Sequence, residues 1–346
     1  MTELFKELLK VVDNEYGGLM EDDEWTDTTG WVDTGSYSLN ALFSGSIYGG
    51  FAGNKSTALA GEPSTGKTFY ALESCKHFLD NNEDGRIFYF ETEGAISKSM
   101  LIDRGIDVSR FVYLPVNTVQ DFRTQALKLV NTYMESKEKI PVMLGLDSLG
   151  NLSTDKEMED IATGKDTRDM TRAQLIRGAF RVLRLKLGIS QIPLIVTNHV
   201  YDVIGSYVPL KKMSGGSGLD YAADQIAFLS KKKAVDKNDE DNNGVVITAT
   251  LKKSRFTIEN KKIETLLYYQ KGLDRYYGLV DLGVKFGMLK KVSTKIQMPD
   301  GSSHFQSHIE KEPEKYFDQE LLDKIDAACK DEFLYGKTNV ATEENE

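Results

Sequence analysis

The fold of this chain is decided by residues 61–68, Gly61-Glu62-Pro63-Ser64-Thr65-Gly66-Lys67-Thr68, which match the phosphate-loop pattern G-x-x-x-x-G-K-[ST]. The apolar run Ser56–Ala60 precedes them and a helical pattern follows, which is the strand–loop–helix setting that the pattern requires. Glycines let successive backbone N–H groups converge on phosphates at a helix N-terminus, where the helix dipole also favours negative charge. The motif predicts that Lys67 reaches the β- and γ-phosphates of a nucleotide and that the Thr68 hydroxyl binds Mg²⁺.

Short apolar runs bounded by turn residues recur along the chain. They are typical of strands that are buried on both faces of a parallel sheet. The strand candidates are Ser56–Ala60, Ile87–Glu91, Phe111–Pro115, Val142–Asp147 and Pro193–Asn198. Between two of them, a helical pattern that begins near Thr118 has Phe122 and Val130 on one face. This alternation predicts βαβ units, and hence an α/β core with a doubly wound, mostly parallel sheet.

Carboxylates follow two of the predicted strands. Asp147 ends one strand, so we expect its carboxylate at the carboxyl edge of the sheet, beside the phosphate loop, where it can order the Mg²⁺ shell. An aspartate that merely ends a strand in a turn is the alternative. Glu91 and Glu93 follow the other strand, and a carboxylate there could orient or deprotonate an attacking water. Capping of the next helix is the competing interpretation for both, and the residues themselves leave it open.

The composition excludes several classes of protein. The 346 residues include 43 Lys and Arg against 53 Asp and Glu, a net charge of −10, which argues against a surface evenly coated with basic residues. No apolar run approaches the roughly 20 residues that span a bilayer, and residues 1–10 lack the apolar core of a signal peptide. Cys75 and Cys329 can build neither a disulfide framework nor a four-ligand zinc site. We expect a soluble, cytoplasmic protein with no membrane partner.

The sequence divides into three predicted parts. Residues 1–33 combine a short amphipathic helix with an acidic tether, residues 34–270 carry the α/β pattern, and residues 271–346 form a C-terminal region with an acidic tail. The N-terminal helix carries Leu4 and Leu8 at helical spacing and is too short to be stable alone. It must pack either on its own core or on a neighbouring subunit.

Several motifs in a fixed order resemble the RecA family of recombinases. Two of these motifs are Thr34-Gly35-Ser36-Tyr37-Ser38-Leu39-Asn40-Ala41-Leu42 and Tyr277-Gly278-Leu279-Val280-Asp281-Leu282-Gly283-Val284-Lys285. Others are more similar to bacteriophage members of the UvsX type, namely Asp147-Ser148-Leu149-Gly150-Asn151-Leu152, Asp169-Met170-Thr171-Arg172-Ala173 and Asn198-His199.

The resemblance implies a DNA-dependent ATPase that uses ATP and Mg²⁺. Such a protein forms a helical filament on single-stranded DNA and pairs it with a homologous duplex in recombination and repair. A single-stranded-DNA-binding protein and a recombination mediator are the further partners that it implies. For a phage-encoded protein, the compartment would be the host cell cytoplasm.

The resemblance also implies roles for individual catalytic residues. Glu93 falls on the family's water-activating glutamate, and His199 falls where bacterial members have a glutamine that senses the γ-phosphate. The alternative for His199 is a polar residue that only caps a strand. Lys253 and Arg255 fall on a pair of cations that reach the ATP of a neighbouring subunit. Without the resemblance, we would interpret these two residues as charges that protect a sheet edge.

For DNA, the resemblance implies one loop near residues 153–170 and a second near residues 200–220. Arg172 matches a DNA-contacting arginine, although charged helix flanks such as this one are usually only solvated. Ile204 falls on the apolar residue that wedges between bases. The phosphate-cradling backbone segment falls on Gly215, Gly216 and Ser217. The family's adenine-contacting side chains are not preserved, because Ser97 and Met100 stand at those positions.

Two other functions remain open. A helicase with the same core fold would form closed rings and unwind a duplex. An accessory protein would bind ATP but mainly recruit partners, although the joint presence of Lys67, Glu93 and Asp147 argues against it.

Overall fold

The computed structural model describes residues 3–12, 14, 16, 27–28, 30–165, 170–203, 211–216, 218–235 and 243–335. The strands are β1 (Trp31–Val32), β2 (Phe51–Ala52), β3 (Ser56–Gly61), β4 (Arg86–Glu91), β5 (Phe111–Pro115), β6 (Val142–Asp147), β7 (Leu194–Asp202), β8 (Lys211–Met213), β9 (Gln225–Val235), β10 (Gly244–Lys253), β11 (Lys262–Tyr268), β12 (Gly272–Leu273), β13 (Lys290–Val292), β14 (Lys295–Gln297) and β15 (Ser303–Phe305). All five predicted strands are confirmed, and β7 runs four residues further than the apolar pattern indicated.

The helices connect these strands and flank the sheet. They are α1 (Glu3–Val12), α2 (Tyr37–Ser44), α3 (Lys67–Asn81), α4 (Lys98–Asp103), α5 (Val119–Glu135), α6 (Asp155–Ala162), α7 (Arg172–Ile189), α8 (Gly218–Ala222), α9 (Leu279–Lys285), α10 (Gln306–Lys311) and α11 (Gln319–Phe333). Side chains cap several of them: the Thr118 hydroxyl accepts a hydrogen bond from the Asp121 N–H at the start of α5. Asp318 does the same for the Leu321 N–H of α11.

One large sheet organises the molecule, with strand order β12-β11-β10-β9-β3-β7-β6-β4-β5. The strands from β9 to β5 in this order are parallel, and β10, β11 and β12 continue the sheet antiparallel. The short strand β8 pairs antiparallel with the end of β7, so part of the predicted second DNA loop is a β-hairpin. The fold class, α/β with a mostly parallel sheet, is confirmed. Parallel strands all end at one edge, and that edge carries the site described below.

The core consists of two apolar clusters, one on each face of the sheet. Successive residues of β3 alternate between them: Leu59 belongs to the first cluster and Ala58 to the second, as the period of two in a strand requires. The second cluster holds the face of α5 predicted from the helical pattern, where Phe122 lies 5.1 Å from Phe90 and 6.0 Å from Phe180, centroid to centroid. Helices on both faces make the sheet doubly wound.

The ends of the chain differ in how they pack. In α1, Leu4, Leu8 and Val11 are 66%, 55% and 81% exposed, so these apolar side chains are not buried in the chain's own core. The tether docks at Trp31, whose ring makes an edge contact with Phe256 at 5.3 Å. Towards the C-terminus, β13, β14 and β15 form a small antiparallel sheet of their own. In the described parts of the chain, no helix combines the length and the apolar character needed to cross a bilayer.

Candidate functional site

The phosphate loop lies between β3 and α3, at the carboxyl edge of the sheet. Gly66 has φ +81° and precedes the first turn of α3. A Cβ at this position would lie 2.8 Å from Cδ2 of Leu267 on β11, so the turn needs glycine both for its backbone conformation and for the close approach. The loop residues Glu62, Pro63 and Ser64 are exposed, which leaves this side of the loop open to a ligand.

Lys67 is buried within the loop and bonds to its carbonyl groups. Its Nζ donates to the carbonyl oxygens of Gly61 at 3.1 Å and Glu62 at 2.9 Å. Burial lowers the pKa of Lys67, and the charges of Asp147 and Glu93 oppose this effect. Both carboxylates therefore lie near enough to the ammonium group to act on its charge. A buried cation at a helix N-terminus fits an anionic ligand.

Asp147 ends β6 and is buried with an oriented carboxylate. Its Oδ2 accepts a 3.0 Å hydrogen bond from the Tyr89 hydroxyl, and its Oδ1 accepts one from the Thr197 hydroxyl. This carboxylate and the hydroxyl of the half-buried Thr68, at the start of α3, are oxygen donors of the kind that Mg²⁺ prefers. Among the described residues, no group of three or more His, Cys, Asp and Glu side chains could hold a metal ion. This arrangement fits a Mg²⁺ ion that is held partly by substrate phosphates and water.

The structure gives different surroundings to two glutamates at the end of β4: Glu91 is its last residue and Glu93 lies two residues beyond it. Glu91 is buried and caps the following turn: its carboxylate accepts hydrogen bonds from the N–H groups of Glu93, Gly94 and Ala95 and from the Tyr113 hydroxyl. The next helix, α4, is instead capped by Ser97, so the interpretation of Glu91 as its cap is wrong. Glu93, by contrast, directs its carboxylate toward the edge of the sheet.

The Glu93 carboxylate is held by residues of the turn that follows β6 and by one residue of β7. Its Oε1 accepts hydrogen bonds from Asn151 Nδ2 at 2.5 Å and Ser148 Oγ at 3.2 Å, and it lies 3.4 Å from His199 Nε2. The Glu93 side chain is 40% exposed, so water can reach it. Sequence reasoning did not assign Ser148 and Asn151 to the site. Their signal in the sequence was that they belong to the motif of residues 147–152 that resembles phage-type members, without a role of their own.

The phosphate loop also contacts the hairpin of β7 and β8, which belongs to the second predicted DNA loop. Lys211 of β8 forms an ion pair with Glu62 of the phosphate loop. Both side chains are exposed, so this pair contributes at most about 1 kcal/mol to stability. No pattern in the sequence pointed to it, because the two residues are far apart along the chain.

Lys253 and Arg255 lie at the edge of the sheet where the parallel strands begin, opposite to the carboxyl edge that carries the phosphate loop. Strand β9 lies between β3 and β10, parallel to β3 and antiparallel to β10. Lys253, the last residue of β10, pairs with Ile226 near the start of β9, and Ile226 pairs with Ala58 in the first half of β3. The phosphate loop follows the carboxyl end of the same strand. Lys253 Nζ donates to the carbonyl oxygens of Asp220 at 2.7 Å and Tyr221 at 3.2 Å.

Of the predicted DNA-contacting residues, Ile204 and Ser217 lie outside the described part of the chain. Arg172, at the start of α7, is half-buried and donates to the carbonyl oxygens of Leu149, Gly150 and Leu152 at 3.3, 2.6 and 2.7 Å. It therefore ties the segment after Asp147 to α7, and the first predicted DNA loop lies between these two elements.

The second predicted loop returns to the same helix. Gly215 and Gly216 have φ of +84° and +75°. A Cβ on Gly216 would lie 2.9 Å from the Cβ of Ala173 in α7, so glycine allows this turn to pack against the helix. Ser97, at the predicted adenine position, uses its hydroxyl to cap α4 through the Met100 N–H at 3.2 Å.

A parallel sheet with a phosphate loop and a strand-ending aspartate at its carboxyl edge defines the α/β class of phosphate-loop nucleotide-binding proteins. Residues 4–274 match the family model of the RecA N-terminal domain, and the chain belongs to the RecA family. The family predicted from the sequence motifs is thus confirmed.

Relatives of known name agree with this membership. The chain is 29% identical over 253 residues to the recombination and repair protein of Enterobacteria phage T4, over 73% of this chain and 63% of that protein. It is 21% identical over 306 residues to protein RecA of Malacoplasma penetrans, over 84% and 90% of the two chains. It is 25% identical over 321 residues to protein RecA of Anaplasma marginale, over 90% and 84%. The chain spans less than two thirds of the length of the phage T4 relative.

Proposed function

We propose that this protein is an ATP-dependent DNA recombinase. It forms a helical filament on single-stranded DNA and catalyses homologous pairing and strand exchange, with DNA-dependent hydrolysis of ATP. One observation carries the proposal: the phosphate loop and Glu93 lie at one edge of the sheet, and Lys253 and Arg255 lie at the other. Cations at the far edge can serve a nucleotide only if a neighbouring subunit brings its own phosphate loop against them.

Hydrolysis then divides among residues of two subunits. The phosphate loop, residues 61–68, binds the phosphates, with Lys67 leaving its carbonyl partners for them. Thr68 and Asp147 would hold Mg²⁺, which neutralises phosphate charge when it is bound. Glu93 is exposed enough to accept a proton from the attacking water and is oriented by the amide of Asn151.

His199 is proposed as the residue that senses the γ-phosphate. It directly follows the buried part of β7, is itself half-buried, and lies 3.4 Å from Glu93. From it, the chain continues directly into the hairpin of the second proposed DNA loop. Lys253 and Arg255 complete the site from the next subunit, where cations supplied in trans contribute roughly 10³–10⁵ in rate in other nucleotide hydrolases.

DNA binding is assigned to the region where α7 meets the two loops. Arg172 joins the first loop to α7, and Gly215 and Gly216 turn the second loop back onto the same helix. The proposed DNA contacts are Arg172, Ile204, Gly215, Gly216 and Ser217. A net charge of −10 is compatible with this, because only local basic regions need to meet the phosphates.

We assign self-assembly to residues 1–33. In the proposed three-part organisation, the ATPase core follows at residues 34–270 and the C-terminal region at residues 271–346. The exposed Leu4, Leu8 and Val11 of α1 form an apolar face that a neighbouring subunit can cover. A single-stranded-DNA-binding protein and a recombination mediator are proposed as further partners.

A strand-exchange assay with single-stranded circular DNA and a homologous linear duplex tests this function. We expect joint molecules only with ATP, Mg²⁺ and homology, and open filaments on single-stranded DNA by electron microscopy. Lys67→Ala is the matched control that removes nucleotide binding. Closed rings with duplex unwinding would instead indicate a helicase, and ATP binding with neither filaments nor joint molecules would indicate an accessory protein.

A further inference from the structure

Asp224 is a fully buried carboxylate beside the two cations at the far edge of the sheet. Its exposed fraction is 0%, and its Oδ1 lies 2.6 Å from Arg184 Nη2 and 2.8 Å from Arg255 Nε. Its Oδ2 accepts hydrogen bonds from the backbone N–H and the hydroxyl of Ser56, both at 3.2 Å. The backbone N–H of Asp224 in turn donates to the Ser56 carbonyl oxygen at 2.9 Å. The carboxylate is therefore fixed to the first residue of β3.

The surroundings of Asp224 carry an excess of positive charge. Arg184, Lys253 and Arg255 gather around it, with Asp220 as a second acid near Lys253. Burial lowers the pKa of Lys253, and the charges of Arg255 and Arg184 lower it further, against the opposing effect of Asp224 and Asp220. Two guanidinium groups share the single Asp224 carboxylate, which favours the approach of an anion such as a phosphate.

Arg255 is held in a way that leaves it able to bind that anion. A guanidinium that uses Nε for one partner retains its two terminal nitrogens as donors. Arg255 is 47% exposed while Asp224 is fully buried, so the carboxylate anchors the base of the guanidinium and the rest can face outward. Because Asp224 is bonded to β3, the arginine is anchored to the rigid centre of the sheet.

We propose that Asp224 is a positioning residue that presents Arg255 to the phosphates of ATP bound by a neighbouring subunit, with Arg184 as a second cation on the same carboxylate. This inference rests on the proposed function, in which Arg255 acts in trans. Asp224 touches neither nucleotide nor DNA, and its contribution passes entirely through the orientation of Arg255.

The first test is Asp224→Asn, which keeps the shape of the side chain and removes its charge. We expect DNA-stimulated kcat to fall about 100-fold with KM for ATP nearly unchanged, because a misplaced cation weakens the transition state more than ground-state binding. Asp326→Asn is the matched control. Asp326 is also a buried carboxylate that accepts a backbone N–H, a hydroxyl and a lysine, but it lies in α11. That variant should lose comparable thermal stability and keep its turnover.

A mixing experiment separates positioning from misfolding. Glu93→Gln subunits have no general base but retain Asp224 and Arg255, so they can serve the sites of Asp224→Asn subunits. Random co-assembly at equal amounts should restore about a quarter of the parental turnover per subunit, although each variant alone is nearly inactive. No recovery in the mixture would overturn the proposal, as would full activity of Asp224→Asn alone.

Arg255→Lys keeps the inference testable if Asp224→Asn does not fold. Lysine keeps the charge but cannot pair through Nε, so kcat should fall as far as in Asp224→Asn, and the double variant should be no worse than either single variant. Additive losses would contradict the inference. A mixture of Arg255→Ala and Glu93→Gln subunits tests the proposed function separately. If this mixture does not recover turnover, the trans arrangement itself is wrong. If it recovers turnover and Asp224→Asn alone is fully active, only the role of Asp224 is refuted.

Discussion

The Nε2 atom of His199 lies 3.4 Å from Oε1 of Glu93, although Glu93 follows β4, His199 lies within β7, and β6 runs between those two strands. The contact joins the proposed general base to the residue that leads into the second proposed DNA loop. A change at the phosphate site can thereby reach the hairpin of β7 and β8, which we propose as a DNA-binding element. The ion pair between Glu62 and Lys211 is a second link between the same two regions.

Glu93→Gln tests the base in this pair. The amide can still accept the hydrogen bond of Asn151 but cannot take a proton from water, so we expect DNA-stimulated turnover to fall by about 10²–10⁴-fold. ATP binding, measured by equilibrium titration with a fluorescent analogue, should change only a few-fold. Turnover within twofold of the parent would show that Glu93 is not the base.

His199→Gln and His199→Ala form a matched pair for the other partner. Glutamine keeps a hydrogen-bond donor at this position, so His199→Gln should retain DNA-stimulated turnover within about tenfold. His199→Ala should bind single-stranded DNA with nearly the same affinity in the presence and absence of ATP, as measured by fluorescence anisotropy. If His199→Ala keeps the normal effect of ATP on DNA affinity, His199 only ends a strand.

The ion pair of Asp33 and Arg275 gives a prediction about pH. Burial alone would raise the pKa of Asp33, but the hydrogen bonds and charge of Arg275, at 2.6 and 2.7 Å, hold the pKa below its usual value. The pair therefore contributes its full stability above the unfolded-state pKa of about 3.9, and this contribution is lost as pH falls through the lower folded-state pKa.

Asp33→Asn should accordingly destabilise the protein by about 2 kcal/mol at neutral pH, since it removes one charge from a largely buried pair. Its stability should also depend less on pH than that of the parent as pH falls below about 4, the unfolded-state pKa of an aspartate. Chemical denaturation at a series of pH values measures both effects. Parallel curves for parent and variant in this range would contradict the assignment.

Arg172 is predicted to contact a DNA phosphate in addition to bonding to carbonyl groups. Arg172→Ala should weaken single-stranded DNA binding and reduce the slope of log affinity against log salt by about 0.7, the value for one phosphate on a single strand. Arg172→Lys should keep the slope, because the charge remains, while it loses the three carbonyl bonds. An unchanged slope in Arg172→Ala would mean that Arg172 only holds the first loop in place.

Much of this architecture is local in origin, and the sequence predicts it for that reason. The phosphate loop depends on glycine conformations, a preceding apolar run and a following helix, all within residues 56–81. The strand ends at Asp147 and Glu91 follow from short apolar runs that end in turn residues. The helix of residues 119–135 follows from its cap at Thr118 and its apolar face.

Only the tertiary structure decided which of these residues act together. The local pattern of residues does not distinguish Glu91 from Glu93. They differ because the chain turns so that one carboxylate accepts its own loop's N–H groups while the other meets Asn151 and His199. Asp224 carries no motif, and it stands out because the sheet brings Ser56, Arg184 and Arg255 around one buried carboxylate. Local periodicity specifies elements, whereas the order of strands across a sheet is set by the packing of residues far apart in the chain. The sequence alone therefore identified the phosphate loop. Only the fold placed Glu93 at one edge of the sheet and Lys253 and Arg255 at the other.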